Sequence, residues 1–113
     1  MRKFIFGILV LALFVTIVPV AEANTIRITI RNNTGYTITH LYVNTENFSG
    51  TPRDLLGDRV LRTGETQNVV DIRPNQRYRV RARDVDGDIY SFIIQPTQNN
   101  QTWPIEMRHM HRG

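Results

Sequence analysis

The chain has 113 residues, a formal net charge of +4, a pI near 10.1, no cysteine and one tryptophan. That length holds one domain and leaves no room for the multidomain, Rossmann or P-loop architectures of nucleotide enzymes. The missing cysteines exclude disulfide scaffolds, zinc–cysteine modules and acylation at a lipobox.

Taken in chain order, the first element is an export signal. Arg2 and Lys3 form a positive n-region, Phe4 to Val20 is an almost unbroken apolar run, and Ala21-Glu22-Ala23 is a small-x-small cleavage site. A retained anchor needs about 20 apolar residues. This run is shorter and carries Thr16 and Pro19 near its end. The reading is a cleaved signal peptide over 1–23, a mature domain over 24–113, and a secreted or periplasmic location. A domain of that size buries only about 60–65% of its unfolded surface, so its stability must rest on a compact apolar core.

From residue 24 onward, strand signals alternate with turn signals. Thr25-Ile26-Arg27-Ile28-Thr29-Ile30-Arg31 has a strict period of two, with the isoleucines on one face and the arginines on the other. Asn32-Asn33-Thr34-Gly35 is a turn, because Asn and Gly tolerate positive φ. Strands are expected at 36–43, 65–72, 77–85 and 88–95. The connection 44–64 contains Asp54-Leu55-Leu56-Gly57, read as one helical turn capped by Asp54, with leucines closing the core. Residues 102–110 form either a last edge strand despite Pro104 or part of a frayed basic tail over 103–113. Five or six short strands with no long helix predict an all-β fold, a single small antiparallel β-sandwich or barrel-like domain. Ile26, Ile28, Ile30, Leu55, Val80 and Phe92 are its expected core.

The segments Asn33-Thr34-Gly35-Tyr36-x-Ile38, Leu41-Tyr42-Val43, Asp54-Leu55-Leu56-Gly57 and Arg81-Ala82-Arg83-Asp84-x-Asp86-Gly87-Asp88-x-Tyr90 resemble those of a group of small exported bacterial β-sandwich proteins without an assigned activity. The resemblance covers most of the mature chain. Thr51 and Pro52 stand where a Trp-Gly pair often precedes the Asp-Leu-Leu-Gly segment in that group. The resemblance implies a β-sandwich in the bacterial envelope or outside the cell, and it transfers no catalytic residue.

The hairpin at Asp86-Gly87 decides which side chains of two strands point inward. A two-residue loop pairs Arg83 with Tyr90 and Arg81 with Phe92. A three-residue loop with Gly87 left-handed pairs Ala82 with Tyr90 and Val80 with Phe92. A slip of one residue exchanges the faces. The second register is preferred, because it gathers Tyr78, Val80, Ala82, Tyr90, Phe92 and Ile94 on one face. Its cost is Asp84 opposite Asp88, since like charges directly opposed repel.

Chemistry is sparse. The mature chain has no Cys or Lys, and Ser49 and Ser91 lack a nucleophile elbow. No serine–histidine–aspartate spacing is evident around His40, so the chain is read as a non-enzyme without a cofactor. His109 and His111 would share one side of an extended strand, with Met107 and Met110 near, as a copper or nickel site; a frayed terminus is the simpler account. Asp84, Asp86 and Asp88 offer a weak cation site. Gly87 and Gln95 do not match the glycine and glutamate positions of a calcium-binding EF-hand loop, and a hairpin turn explains the acids more simply.

One pattern has a geometric basis for function. Arg77, Arg79, Arg81 and Arg83 alternate along one strand, and Arg27 and Arg31 do so on the first. If both strands share a sheet, six arginines form one basic face able to grip carboxylate or phosphate bidentately. A solvated face paired with Asp71, Glu65 or Glu106 is the competing reading. The expected function is a secreted or periplasmic, non-catalytic binding or envelope-interaction module for an anionic ligand. Candidate partners are an acidic polysaccharide, an anionic lipid or an acidic protein. Nucleic acid fits poorly, because the bases would lack an aromatic platform. The alternatives are a small periplasmic enzyme or inhibitor with its site in the 44–64 loop, and a structural subunit that adds a strand to a neighbour.

Overall fold

A computed structural model describes residues 24–111. The expected export signal, its cleavage site and the last two residues lie outside the described residues. Among the described residues, no helix is long and apolar enough to cross a membrane.

Seven strands follow one another: β1 (Ile26–Asn33), β2 (Ile38–Thr45), β3 (Thr66–Ile72), β4 (Tyr78–Asp84), β5 (Ile89–Ile94), β6 (Thr102–Glu106) and β7 (Met110–His111). A 3-10 turn, Met107–His109, separates the last two. The strands form a three-stranded sheet in the order β3-β1-β6 and a four-stranded sheet in the order β2-β4-β5-β7, packed face to face. The fold is the expected all-β sandwich. All strand pairs are antiparallel except β1 with β6. Parallel pairing needs a crossover. The chain makes it by leaving the four-stranded sheet after Ile94 and joining β1 of the other at Thr102.

Alternation sets the core. Ile28 and Ile30 of β1 and Val80 and Ala82 of β4 are buried, while Arg27, Arg31, Arg79, Arg81 and Arg83 between and beside them are exposed. Leu41, Leu56, Leu61, Ile72, Tyr90 and Ile105 complete the apolar interior. Of the expected core, Ile28, Ile30 and Val80 are buried, whereas Ile26, Leu55 and Phe92 are only half-buried against it. Phe92 lies on β5 beyond its short pairing with β7, where its ring stacks on His109 at 4.0 Å between centroids. Leu56, not Leu55, closes the core at the Asp54 segment, which forms bends and a turn with Gly57 at φ +61° instead of a helical turn.

The β4–β5 hairpin adopts the three-residue loop: Ala82 faces Tyr90, Val80 faces Phe92, and Gly87 has φ +85°. Asp84 faces Asp88, and its apparent cost is removed by hydrogen bonding. Asp84 is buried; its Oδ1 accepts from the amides of Asp86 and Asp88, and its Oδ2 accepts from the Tyr90 hydroxyl at 2.8 Å. Burial first, then the bond to Asp84 and its negative charge, push the Tyr90 phenol up to about 12.

The turn after β1 is held by a side chain that its turn composition does not single out. Asn32, fully buried, donates through Nδ2 to the carbonyls of Tyr36 (2.7 Å) and Leu61 (2.8 Å). Its Oδ1 accepts from the Thr34 amide (2.9 Å) and the Thr34 hydroxyl (2.7 Å). An amide side chain has two donors and two acceptor lone pairs, and all four are used.

Candidate functional site

The site is built by the outward face of the four-stranded sheet. In β4, inward Tyr78, Val80 and Ala82 alternate with outward Arg79, Arg81 and Arg83, whose backbone positions are about 6.6–6.8 Å apart in a strand. Strand β2 lies alongside in register: His40 faces Arg83, Tyr42 faces Arg81 and Asn44 faces Arg79.

That register depends on a bulge. In a regular strand Ile38, His40 and Tyr42 would share a face, and Ile38 is buried in the core. The pairing slips between Ile38 and His40, so Thr39 is an extra residue. Ile38 and Leu41, three apart, then both point inward, and His40 and Tyr42 turn outward. Bulges of this kind re-aim side chains and recur beside active sites.

The loop after β2 supplies the far wall. His40, Tyr42, Asn44, Phe48, Gly50 and the three arginines of β4 line a trough of about 600 Å³, within the roughly 300–1,000 Å³ of small-ligand sites. Ile89 of β5 lines it beside Arg83. Phe48 is 46% exposed. Its ring covers Gly50 so closely that a Cβ there would lie 3.0 Å from the ring tip. The Tyr42 and His40 rings are near-parallel, with centroids 6.5 Å apart.

His40 is fixed from behind. Its Nδ1 lies 2.7 Å from Oδ2 of Asp54, and an ionised carboxylate only accepts, so Nδ1 donates and Nε2 is left for other partners. Oδ1 of Asp54 accepts from the amides of Leu41 and Leu56. Desolvation pushes the Asp54 carboxyl up, but the bond from His40 and those two amides outweigh it and hold the group below the usual aspartate value. The same segment returns the Leu55 amide to the Leu41 carbonyl, so the outer edge of β2 is covered at the point where the site is built.

Charge is concentrated on one side. Among the described residues, the ion pairs are His40–Asp54, Arg77–Glu46 and Arg108–Glu106. Among the described residues, no carboxylate lies within 4.0 Å of Arg79, Arg81 or Arg83. Arg79 donates to the Ser91 hydroxyl at 3.0 Å. Glu46, at the Arg79 end, is held below the usual glutamate value by its hydrogen bonds from Arg77 and by the charges of Arg77 and Arg79.

The six arginines expected to form one face are divided. Arg27 and Arg31 belong to β1, in the other sheet, with their exposed face on the opposite side of the sandwich. Arg77 precedes β4 and is neutralised by Glu46 through Nε at 2.7 Å. Arg79, Arg81 and Arg83 remain together. The expected pairing with Asp71, Glu65 or Glu106 does not occur among the described residues. The arginine face also has the aromatic neighbours it was expected to lack: Tyr42, His40 and Phe48.

Other candidates are placed differently. Asp84, Asp86 and Asp88 bring carboxylate oxygens within 4.8 Å of one another, but buried Asp84 spends both oxygens on the hairpin and on Tyr90. The final segment is no frayed tail up to residue 111, since β6 pairs with β1 and β7 with β5. His109 lies in the 3-10 turn, accepts from the Glu106 amide through Nδ1 and stacks on Phe92. His111 in β7 turns its Nε2 to the Ser91 carbonyl, so the two imidazoles do not sit side by side on one extended strand. Among the described residues, no serine hydroxyl hydrogen-bonds to His40; Ser91 is engaged with Arg79.

Sequence reasoning missed His40, Tyr42 and Asp54 as members of the site. Only the Asp-Leu-Leu-Gly segment signalled Asp54, as a cap, and it does accept from the Leu56 amide. Compared with protein-family models, curated proteins and solved structures, the chain matches none.

Proposed function

We propose that this is an exported, non-catalytic binding module whose trough between β2, β4 and the 46–52 loop takes an anionic ligand. The observation that supports the reading is three outward arginines in one row, none with a carboxylate of the described residues within 4.0 Å, beside the exposed ring of Phe48 and the half-buried rings of Tyr42 and His40. A row of arginines that served only solubility would face water on an open sheet, without the Phe48 wall and the Asp54-anchored imidazole beside it. Guanidinium groups bind carboxylate and phosphate bidentately. Their on-rate and affinity fall with ionic strength when the contact is with solvent-exposed charge.

The structure supplies a control of equal charge on the other side of the molecule. Arg79→Gln/Arg81→Gln weakens retention on a heparin column well beyond Arg27→Gln/Arg31→Gln. Equal losses from the two double variants would mean that net charge alone is responsible, and the trough reading would fall.

A further inference from the structure

Resting on that anion-binding reading, we propose that the trough recognises an acidic sugar residue within an oligosaccharide, with its carboxylate held at Arg81 and Arg83 and its hydroxyls at the Asn44–Glu46 end. The charge in the trough is graded along its length. At one end, Arg81 and Arg83 face Tyr42 and His40, with no carboxylate of the described residues within 4.0 Å of either guanidinium. At the other, Arg79 is engaged by Ser91 and lies in the field of Glu46, and the lining is Asn44, Thr45 and Glu46.

That end adds the acceptors of Glu46 to the mixed donors and acceptors of Asn44 and Thr45. Glu46 takes Arg77 Nε on Oε1 at 2.7 Å and Arg77 NH2 on Oε2 at 3.2 Å. Each carboxylate oxygen has a further lone pair for a hydroxyl donor. A deoxynucleotide phosphodiester strand offers no free backbone hydroxyl to Glu46 and would set a phosphate against it, and like charges in contact are unfavourable. A uronate differs. Its carboxylate leaves one edge of the pyranose ring and its free hydroxyls the opposite edge, so one sugar satisfies the cationic and the acceptor ends together. Its C–H face suits the exposed ring of Phe48 and the half-buried ring of Tyr42. The trough volume of about 600 Å³ fits a short stretch of such a chain and no broad macromolecular face.

The test is isothermal titration of the protein with four probes: tetragalacturonate, its fully methyl-esterified form, a tetrathymidylate oligonucleotide, and inorganic phosphate. The expected result is saturable binding of tetragalacturonate, weakened about tenfold or more by esterification or by Arg81→Gln. Phe48→Ala, which leaves all charges in place, weakens it by several-fold. The oligonucleotide binds more weakly than the uronate. Tighter binding of the oligonucleotide or of phosphate, lost in Arg81→Gln, would leave an anion site and overturn the sugar assignment. Binding of esterified and free tetragalacturonate with equal affinity would overturn the carboxylate contact. Failure of all four probes would overturn the anion-binding reading itself. Thermal melts of Arg81→Gln and Phe48→Ala confirm folding, as both side chains are on the surface.

Discussion

Asn32→Asp replaces the fully buried amide at the heart of the β1–β2 turn with an isosteric carboxyl. It changes the two donors into acceptors that face the carbonyls of Tyr36 and Leu61 at 2.7 and 2.8 Å. An ionised carboxylate there, without a cation, costs several kcal/mol, so the group takes up a proton. Neutralising a carboxyl of ordinary pKa near 3.9 at pH 7 costs about 4 kcal/mol at 1.36 kcal/mol per unit. The protonated form restores one of the two donors and loses the other, a further ~1 kcal/mol. The expected penalty is therefore about 5 kcal/mol at pH 7. Because the folded pKa of the introduced carboxyl is raised, the protonation part of the penalty is absent below the unfolded value and grows as pH rises through the window above it. At pH 4 it shrinks to about 1–2 kcal/mol. Urea melts at both pH values read the gap from wild type. Thr34→Val is the companion variant: it removes the hydroxyl that donates to Asn32 Oδ1 without adding a charge, and costs about 1–2 kcal/mol at either pH. A gap for Asn32→Asp below ~1 kcal/mol at pH 7, or one equal at both pH values, would refute the hydrogen-bond assignment.

Asp84→Ala removes the acceptor of three hydrogen bonds and is expected to cost about 3 kcal/mol, or roughly 12–24 °C in Tm for a domain this small; a shift under 2 °C would mean that the hairpin holds itself. Calorimetry with millimolar calcium should show little heat, and a micromolar Kd abolished by Asp86→Ala would assign the acid cluster to a cation. Phe92→Ala removes a half-buried ring and its stack on His109, with an expected loss of about 2–3 kcal/mol, at the low end for buried aromatics; a melt within a degree of wild type would contradict the packing. Burial, then the charge of Arg108, lowers the His109 pKa, so the stability it contributes is present above the unfolded histidine value near 6.5 and is lost as pH falls below it. His109→Gln should flatten the stability profile between pH 7 and 5, and an unchanged slope would exclude His109 as its source.

The elements that were legible in the sequence are those whose pattern is local. The period of two in β1 and the Asp-Gly hairpin set the inward faces of β1, β4 and β5, and the observed pairing of Ala82 with Tyr90 follows from the left-handed Gly87. What was not legible depends on distant partners. Nothing in the alternation of Arg27 and Arg31 tells which sheet β1 joins, and it joins the one opposite Arg79 and Arg81. Phe92 alternates as a core residue, yet it lies on the stretch of β5 beyond the short pairing with β7 and is only half-buried. The outward turn of His40 and Tyr42 requires the bulge at Thr39, and a bulge breaks the very periodicity by which faces are read. The Asp54–His40 pair is fourteen residues apart across the end of β2 and the irregular chain after Thr45, where no spacing rule applies.

Whether the arginines of β4 hold an anion in the trough is read by recording the arginine Nε–Hε and backbone amide signals of the labelled protein by NMR while tetragalacturonate is added. Saturating shifts are expected at Arg81 and Arg83, with accompanying changes at Tyr42 and His40, and none at Arg27 and Arg31 on the opposite face. Equal, non-saturating shifts at all of these arginines would contradict an anion held in the trough.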